Sequence, residues 1–178
     1  MNLANGITLA RIALIPLFML CFLVQQEPGL MVAVIIFALA ACTDKLDGYI
    51  ARKYNQVTRL GKLLDPLADK LLISVALIMM VQVNMISSWV AVVIIAREIV
   101  ITALRMVAAE QGIALAADQY GKIKMVLQVV AILTVLLHHV IFSTFTDLRI
   151  DMILIWIATG VTLLSGLNYI IVNLKLLR

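Results

Sequence analysis

Apolar residues fall into long blocks separated by short polar stretches. The blocks run from about Ile7 to Val24, Leu30 to Tyr54, Leu60 to Val81, Trp89 to Glu110, Gly121 to Phe142 and Ile150 to Leu174. Each is on the order of 20 residues, the length a helix needs to cross a bilayer core about 30 Å thick. The short alternating segments of a transmembrane β-barrel do not occur. Between the blocks lie a polar lead-in (MNLANG), a turn at Gln25-Gln26-Glu27-Pro28-Gly29, a basic link around Asn55 to Arg59 and an uncharged link from Gln82 to Ser88. A polar link from Gln111 to Tyr120 and a loop from Ser143 to Arg149 complete the set. Pro16 interrupts the first block, which membrane helices tolerate when neighbours satisfy the freed carbonyl. The pattern predicts an all-α integral membrane protein of six transmembrane helices forming one domain over 1–178, without internal repeat.

Charge orients the helices. Arg52, Lys53, Arg59 and Lys62 surround the link after the second block; Arg105, Lys122 and Lys124 surround the link after the fourth; Lys175 and Arg178 close the chain. The links after the first and third blocks carry no Lys or Arg, and the link after the fifth carries only Arg149. The positive-inside rule then predicts that both termini are cytoplasmic. The first block lacks a basic leader and a small-residue cleavage site, so it reads as a retained helix and not a signal peptide.

Composition agrees: 64% of residues are hydrophobic and 13% charged, with a mean hydropathy of +1.11. The excess of Lys and Arg, 14 against ten acidic residues, is too small to imply nucleic acid. Cys21 and Cys42 stand in apolar stretches and read as small buried hydrophobes. His138 and His139 fall near the outer end of the fifth helix and read as interfacial, and Asp147, Arg149 and Asp151 as a solvated outer loop.

One stretch departs from this pattern. Residues 44–69, DKLDGYIARKYNQVTRLGKLLDPLAD, hold four of the ten acidic residues, paired as Asp44/Asp47 and Asp65/Asp69. Spacings of three and four put each pair on one helical face, so two helices joined by a short link can aim four carboxylates at one point. A charged side chain within a membrane helix costs on the order of 2.5–3.5 kcal/mol, and four together repel. Ion pairs with Lys45, Lys62 and Lys70 are one answer; divalent cations are a better one. Oxygen donors without His or Cys suit Mg²⁺ or Mn²⁺, and a two-metal carboxylate site serves displacement at phosphorus. Gly48 and Ala51 continue the face of Asp44 and Asp47, and Gly61 precedes Asp65 by one turn. Small residues there admit a bulky group or a close helix neighbour. Arg52 extends the face and suits a diphosphate.

The full pattern, Asp44-x2-Asp47-Gly48-x2-Ala51-Arg52-x8-Gly61-x3-Asp65-x3-Asp69, resembles the signature of the CDP-alcohol phosphotransferase family position for position. The resemblance implies a six-helix membrane enzyme, usually a homodimer, that transfers a substituted phosphate from a CDP-linked donor to an alcohol and releases CMP. By matching position, Asp44, Asp47 and Asp65 would bind two divalent metal ions, with Asp69 contributing to the second and acting as base. Gly48, Ala51, Arg52 and Gly61 would contact the CDP moiety, as would Thr58 in the link.

The lipid-embedded site points to CDP-diacylglycerol as donor. The acceptor depends on Arg97, Arg105, Lys122 and Lys124, which the signature leaves unassigned. Arg97 sits mid-helix, with Glu98 a candidate partner. Together these cations suit a phosphorylated acceptor, although interfacial Lys and Arg also snorkel and set topology. The opening NLANGITLARIALIP, with Asn2, Asn5, Thr8, Arg11 and Pro16, resembles the phosphatidylglycerophosphate synthase subfamily, as do residues 96–105 and 121–124. Ala4 replaces a common Pro, and Met125 a common Thr. The implied acceptor is sn-glycerol 3-phosphate, with the site facing the cytoplasm of a bacterial plasma membrane. Transfer to serine or inositol phosphate is the alternative within the family. An ion-coupled transporter is the alternative outside it, but one would expect an inverted repeat.

Overall fold

A computed structural model of the protein describes residues 3–23, 27–53, 59–112, 119–141 and 149–174, excepting the side chains at 3–5, 27, 44–53, 59–60, 62–63, 119–120, 122 and 174. The described residues form six helices: α1 (Leu3–Leu23), α2 (Glu27–Lys53), α3 (Arg59–Gln82), α4 (Ser88–Glu110), α5 (Gln119–Val140) and α6 (Ile150–Leu174). The boundaries differ from the hydropathy blocks where polar residues continue a helix. Leu3 to Gly6, read as lead-in, are the first turn of α1, and α2 already includes Pro28 and Gly29. Proline is favoured in a first turn because its missing N–H has no intrahelical acceptor there.

The helices pack as a ring in the order α1, α2, α5, α6, α4, α3 and back to α1, and α3 also touches α2 and α5. Each helix turns one row of residues inward. In α1 the buried row is Thr8, Arg11, Ile15, Phe18 and Phe22, at alternating spacings of three and four. Phe18 joins α1 to α2, its ring 6.0 Å from that of Phe37. In α3 Ala68, Leu72, Ala76 and Met80 recur every four residues beside Ile73 and Leu77, all buried. The row Ile73–Leu77 extends backwards in steps of four through Asp69, Asp65 and Gly61. The two carboxylates therefore stand where the packing pattern calls for core residues.

Outward faces are apolar instead of charged: Leu20, Leu23, Ile78, Trp89, Ile99, Leu164 and Ile171 are all more than half exposed. Among the described residues, three helical segments are long and apolar enough to cross a membrane, Gly6–Leu23, Ile123–Val140 and Ile150–Asn173. A shorter apolar stretch, Pro28–Thr43, belongs to α2.

The α3–α4 link is tight. Asn84 adopts a positive φ of 58°, with Asn84 N–H donating to Val81 O and Met85 N–H to Met80 O. This is a Schellman cap, with buried Met85 and Met80 as its apolar contact. Ser87 then caps α4 by accepting from Trp89 N–H. Past the end of α4 and its C-cap Gln111 comes Gly112, whose φ of +69° suits glycine.

Two minor expectations are corrected. Cys42 is exposed while Cys21 is buried. Asp151 belongs to the first turn of α6 and is fully buried, not part of a solvated loop. It starts the inward row that continues through Ile155, Ala158 and Thr162, so helix phase carries it inside. Asp147 lies outside the described residues.

Candidate active site

Asp65 and Asp69 lie one turn apart on α3 and are held from α1. Thr8 Oγ1 donates to Asp65 Oδ1 at 2.7 Å, and Arg11 Nη1 donates to Asp69 Oδ1 at 2.8 Å. Thr8 and Arg11 are three apart and face α3 together. Arg11 is 1% exposed. A guanidinium so placed is expensive in an apolar bundle unless a carboxylate balances it, and Asp69 does so here. α1 thus supplies a partner to each of the two carboxylates. Lys70 Nζ donates to Thr102 Oγ1 on α4.

Asp69 also borders a cavity of about 370 Å³ between α3, α4 and α5. Its lining includes Pro66, Lys70 and Ile73 from α3, Arg97, Glu98 and Arg105 from α4, and Gly121, Lys124, Met125 and Gln128 from α5. Four basic side chains face two acidic ones. Glu98 organises them: Lys124 Nζ donates to Glu98 Oε1, and Arg97 Nη1 donates to the same oxygen at 3.2 Å. Arg97 is fixed from the other side by α6, where Nη2 donates to Ser165 Oγ at 3.0 Å. Gly166 makes that pose attainable, since a Cβ there would lie 2.8 Å from Arg97 Cγ. Arg105 reaches Tyr169 of α6, with Nε donating to the phenol oxygen at 3.2 Å. Gln128 Nε2 donates to Thr162 Oγ1 at 2.9 Å and ties α5 to α6 beneath the cavity.

Of the residues singled out from sequence, Asp69, Arg97, Arg105 and Lys124 therefore meet around one cavity, with Asp65 one turn from Asp69 and Gly61 buried one turn before it. The expectations on Asp44, Asp47, Gly48, Ala51, Arg52, Thr58 and Lys122 lie outside the described side chains; all but Thr58 are at helical backbone positions. Sequence reasoning assigned no role to Thr8, Arg11, Ser165, Gln128 and Tyr169. The signal for the first two was present: polar residues in phase with Ile15 and Phe18 on an otherwise apolar row.

The donor chemistry fits divalent cations. Asp65 and Asp69 supply hard carboxylate oxygens, and each is steered by a hydrogen-bond donor, as ligating carboxylates commonly are.

Comparison with known proteins shows the family. Residues 1–164 match the CDP-alcohol phosphatidyltransferase family. The CDP-diacylglycerol–glycerol-3-phosphate 3-phosphatidyltransferase of Bacillus subtilis is 43% identical over 99% of this chain and 97% of its own. Proteins of the same name from Pseudomonas fluorescens and Rickettsia bellii are 41% and 37% identical, covering 96% and 94% of this chain and 89% and 93% of theirs. The chain belongs to the CDP-alcohol phosphatidyltransferase family.

Proposed function

We propose that the protein transfers the phosphatidyl group of CDP-diacylglycerol to sn-glycerol 3-phosphate, giving phosphatidylglycerophosphate and CMP. The observation that carries the acceptor is the cavity beside Asp69, where Lys70, Arg97, Arg105 and Lys124 outnumber Asp69 and Glu98. A phosphate monoester dianion balances that excess, and the bidentate guanidinium geometry of arginine matches its oxygens. Uncharged alcohols leave that excess positive charge unbalanced.

In this reading Asp44, Asp47, Asp65 and Asp69 hold two divalent ions, Mg²⁺ or Mn²⁺, which would neutralise the diphosphate and the departing CMP. Gly48, Ala51, Arg52, Thr58 and Gly61 form the bed for the CDP moiety, their small members letting it approach the backbone. Arg97, Arg105, Lys122 and Lys124 bind the acceptor phosphate and bring the free hydroxyl to Asp69. Asp69 accepts the hydroxyl proton as the oxygen bonds to the phosphatidyl phosphorus and the bridging P–O bond to CMP breaks. Thr8 and Arg11 keep the α3 carboxylates pointed at the reaction, and that fixed placement lowers the barrier.

The same reading makes the chain one domain over 1–178 with all six helices spanning the membrane. Both termini and the site face the cytoplasm of a bacterial plasma membrane, and the working unit is a homodimer. The basic links after α2 and α4 support the orientation. The test is CMP release by purified protein in detergent with CDP-diacylglycerol, Mg²⁺ or Mn²⁺, and a panel of alcohols. Release with glycerol 3-phosphate alone is expected, and Asp69→Asn abolishes it. Release only with serine or inositol phosphate overturns the acceptor; no release with any alcohol overturns the reaction.

A further inference from the structure

At the opposite end of α5 from the cavity, three potential ligands converge. His138 and His139 end α5 and Asp151 begins α6. One donor atom from each lies within 4.8 Å of the others. Lys124 and His138 are 14 positions apart on one helix, about 21 Å at 1.5 Å per residue, so this cluster is separate from the aspartate site.

Two features distinguish it from an ordinary buried ion pair. His138 is 9% exposed, and its Nε2 is sealed from solvent without a hydrogen-bond partner. Its Nδ1 stands 3.8 Å from Asp151 Oδ2, beyond hydrogen-bond reach. The imidazole is thus buried beside a buried carboxylate without bonding to it. A tetrahedral zinc ion with ligand distances of about 2.0–2.2 Å holds its donors roughly 3.3–3.6 Å apart. The His138–Asp151 gap is close to that spacing, and the donors as a set, all within 4.8 Å of one another, draw together around the ion. Arg149 competes for Asp151, with Nε 3.3 Å from Oδ1 and Nη2 3.4 Å from Oδ2. These contacts are long, and the Arg149 side chain is 51% exposed, so it can withdraw into water. His139 Nδ1 stands 3.4 Å from Val135 O within its own helix.

We propose that His138, His139 and Asp151 form a transition-metal site, suited to Zn²⁺, that clasps the end of α5 to the start of α6. Two imidazoles and one carboxylate are a borderline-soft set that favours Zn²⁺ over Mg²⁺, unlike the all-oxygen aspartates. The site is independent of the transfer reaction.

The experiment uses the full chain in detergent, stripped by chelator and held in saturating Mg²⁺ so that oxygen-donor sites are filled. Zinc bound per chain is measured for the parent, His138→Gln and His139→Gln, and visible absorption is recorded for the parent with Co²⁺. The expected result is one more zinc ion per parent chain than per variant chain, a tetrahedral Co²⁺ absorption, and a rise in unfolding temperature with zinc that both variants lose. Equal zinc in parent and variants, or a Co²⁺-loaded parent without tetrahedral absorption, overturns the proposal. Should His138→Gln fail to fold, His139→Gln at its half-buried position and the parent's own Co²⁺ spectrum still decide it.

Discussion

Arg11 and Asp69 stand 58 positions apart in the chain, and their side chains meet at 2.8 Å. The contact welds α1 to the helix that carries half of the acidic motif, and it sets the direction of the carboxylate that borders the cavity. Replacing Arg11 by Met or Ala leaves Asp69 without this donor. Partners that orient metal ligands are typically worth 10–100-fold in activity or metal affinity, so Arg11→Met is expected to lower kcat on the order of 10–100-fold. Arg11→Lys keeps the charge and should retain more. Steady-state CMP release measures both.

Thr8 offers a finer probe because its contact is a single hydroxyl on Asp65. Thr8→Val keeps the shape and removes the donor. A hydrogen bond to a charged group contributes about 1.5–3 kcal/mol, so the divalent-ion concentration for half-maximal activity should rise roughly tenfold or more. Thr8→Ser should behave like the parent. Titration with Mg²⁺ or Mn²⁺ at saturating substrates reads the difference; an unchanged midpoint in Thr8→Val would mean that Asp65 needs no help from α1.

Arg105 and Lys124 line the cavity away from the motif. Arg105→Ala and Lys124→Ala are each expected to raise KM for glycerol 3-phosphate roughly 10–100-fold, the equivalent of about 1.5–3 kcal/mol, and to raise KM for CDP-diacylglycerol much less. Equal effects on both substrates would remove these side chains from an acceptor pocket.

Gly166 and Gly160 make a matched pair on α6. A Cβ at Gly166 would press on Arg97 Cγ, whereas at Gly160 it would meet nothing within 4 Å. Gly166→Ala should shift Arg97 and weaken glycerol 3-phosphate binding several-fold. Gly160→Ala should be silent in activity and stabilise the helix by about 0.5–1 kcal/mol. Thermal unfolding together with KM separates the two.

Six helices were legible in the chain because apolar blocks of bilayer length leave little room for another reading. The errors fell at helix ends, where hydropathy carries no signal for a polar first turn such as Leu3 to Gly6 or for Pro28 inside α2. Asp151 was misjudged for a related reason: one charge ahead of an apolar block reads equally as loop or as first turn, and only the phase set by Ile155 and Ala158 decides. In the site, Asp65 and Asp69 were legible because their relation is local to one helix. Their donors were not, since Thr8 and Arg11 reach them across a pairing of α1 with α3 that a single sequence does not encode. The same holds for Glu98: its charge was visible, but its role in gathering Arg97 and Lys124 depends on α4 and α5 facing one cavity.

The Arg11–Asp69 contact also bears on how the protein is made. The ribosome finishes α1 well before it reaches Asp69, and at roughly 5–20 residues per second the separation of 58 positions takes about 3–12 s. During that interval the guanidinium sits on a nascent apolar segment whose balancing carboxylate has yet to be synthesised. Neutralisation of Arg11 within the bundle is therefore coupled to the arrival of α3, and translation products that stop short of Asp69 should be preferred substrates for membrane quality-control proteases.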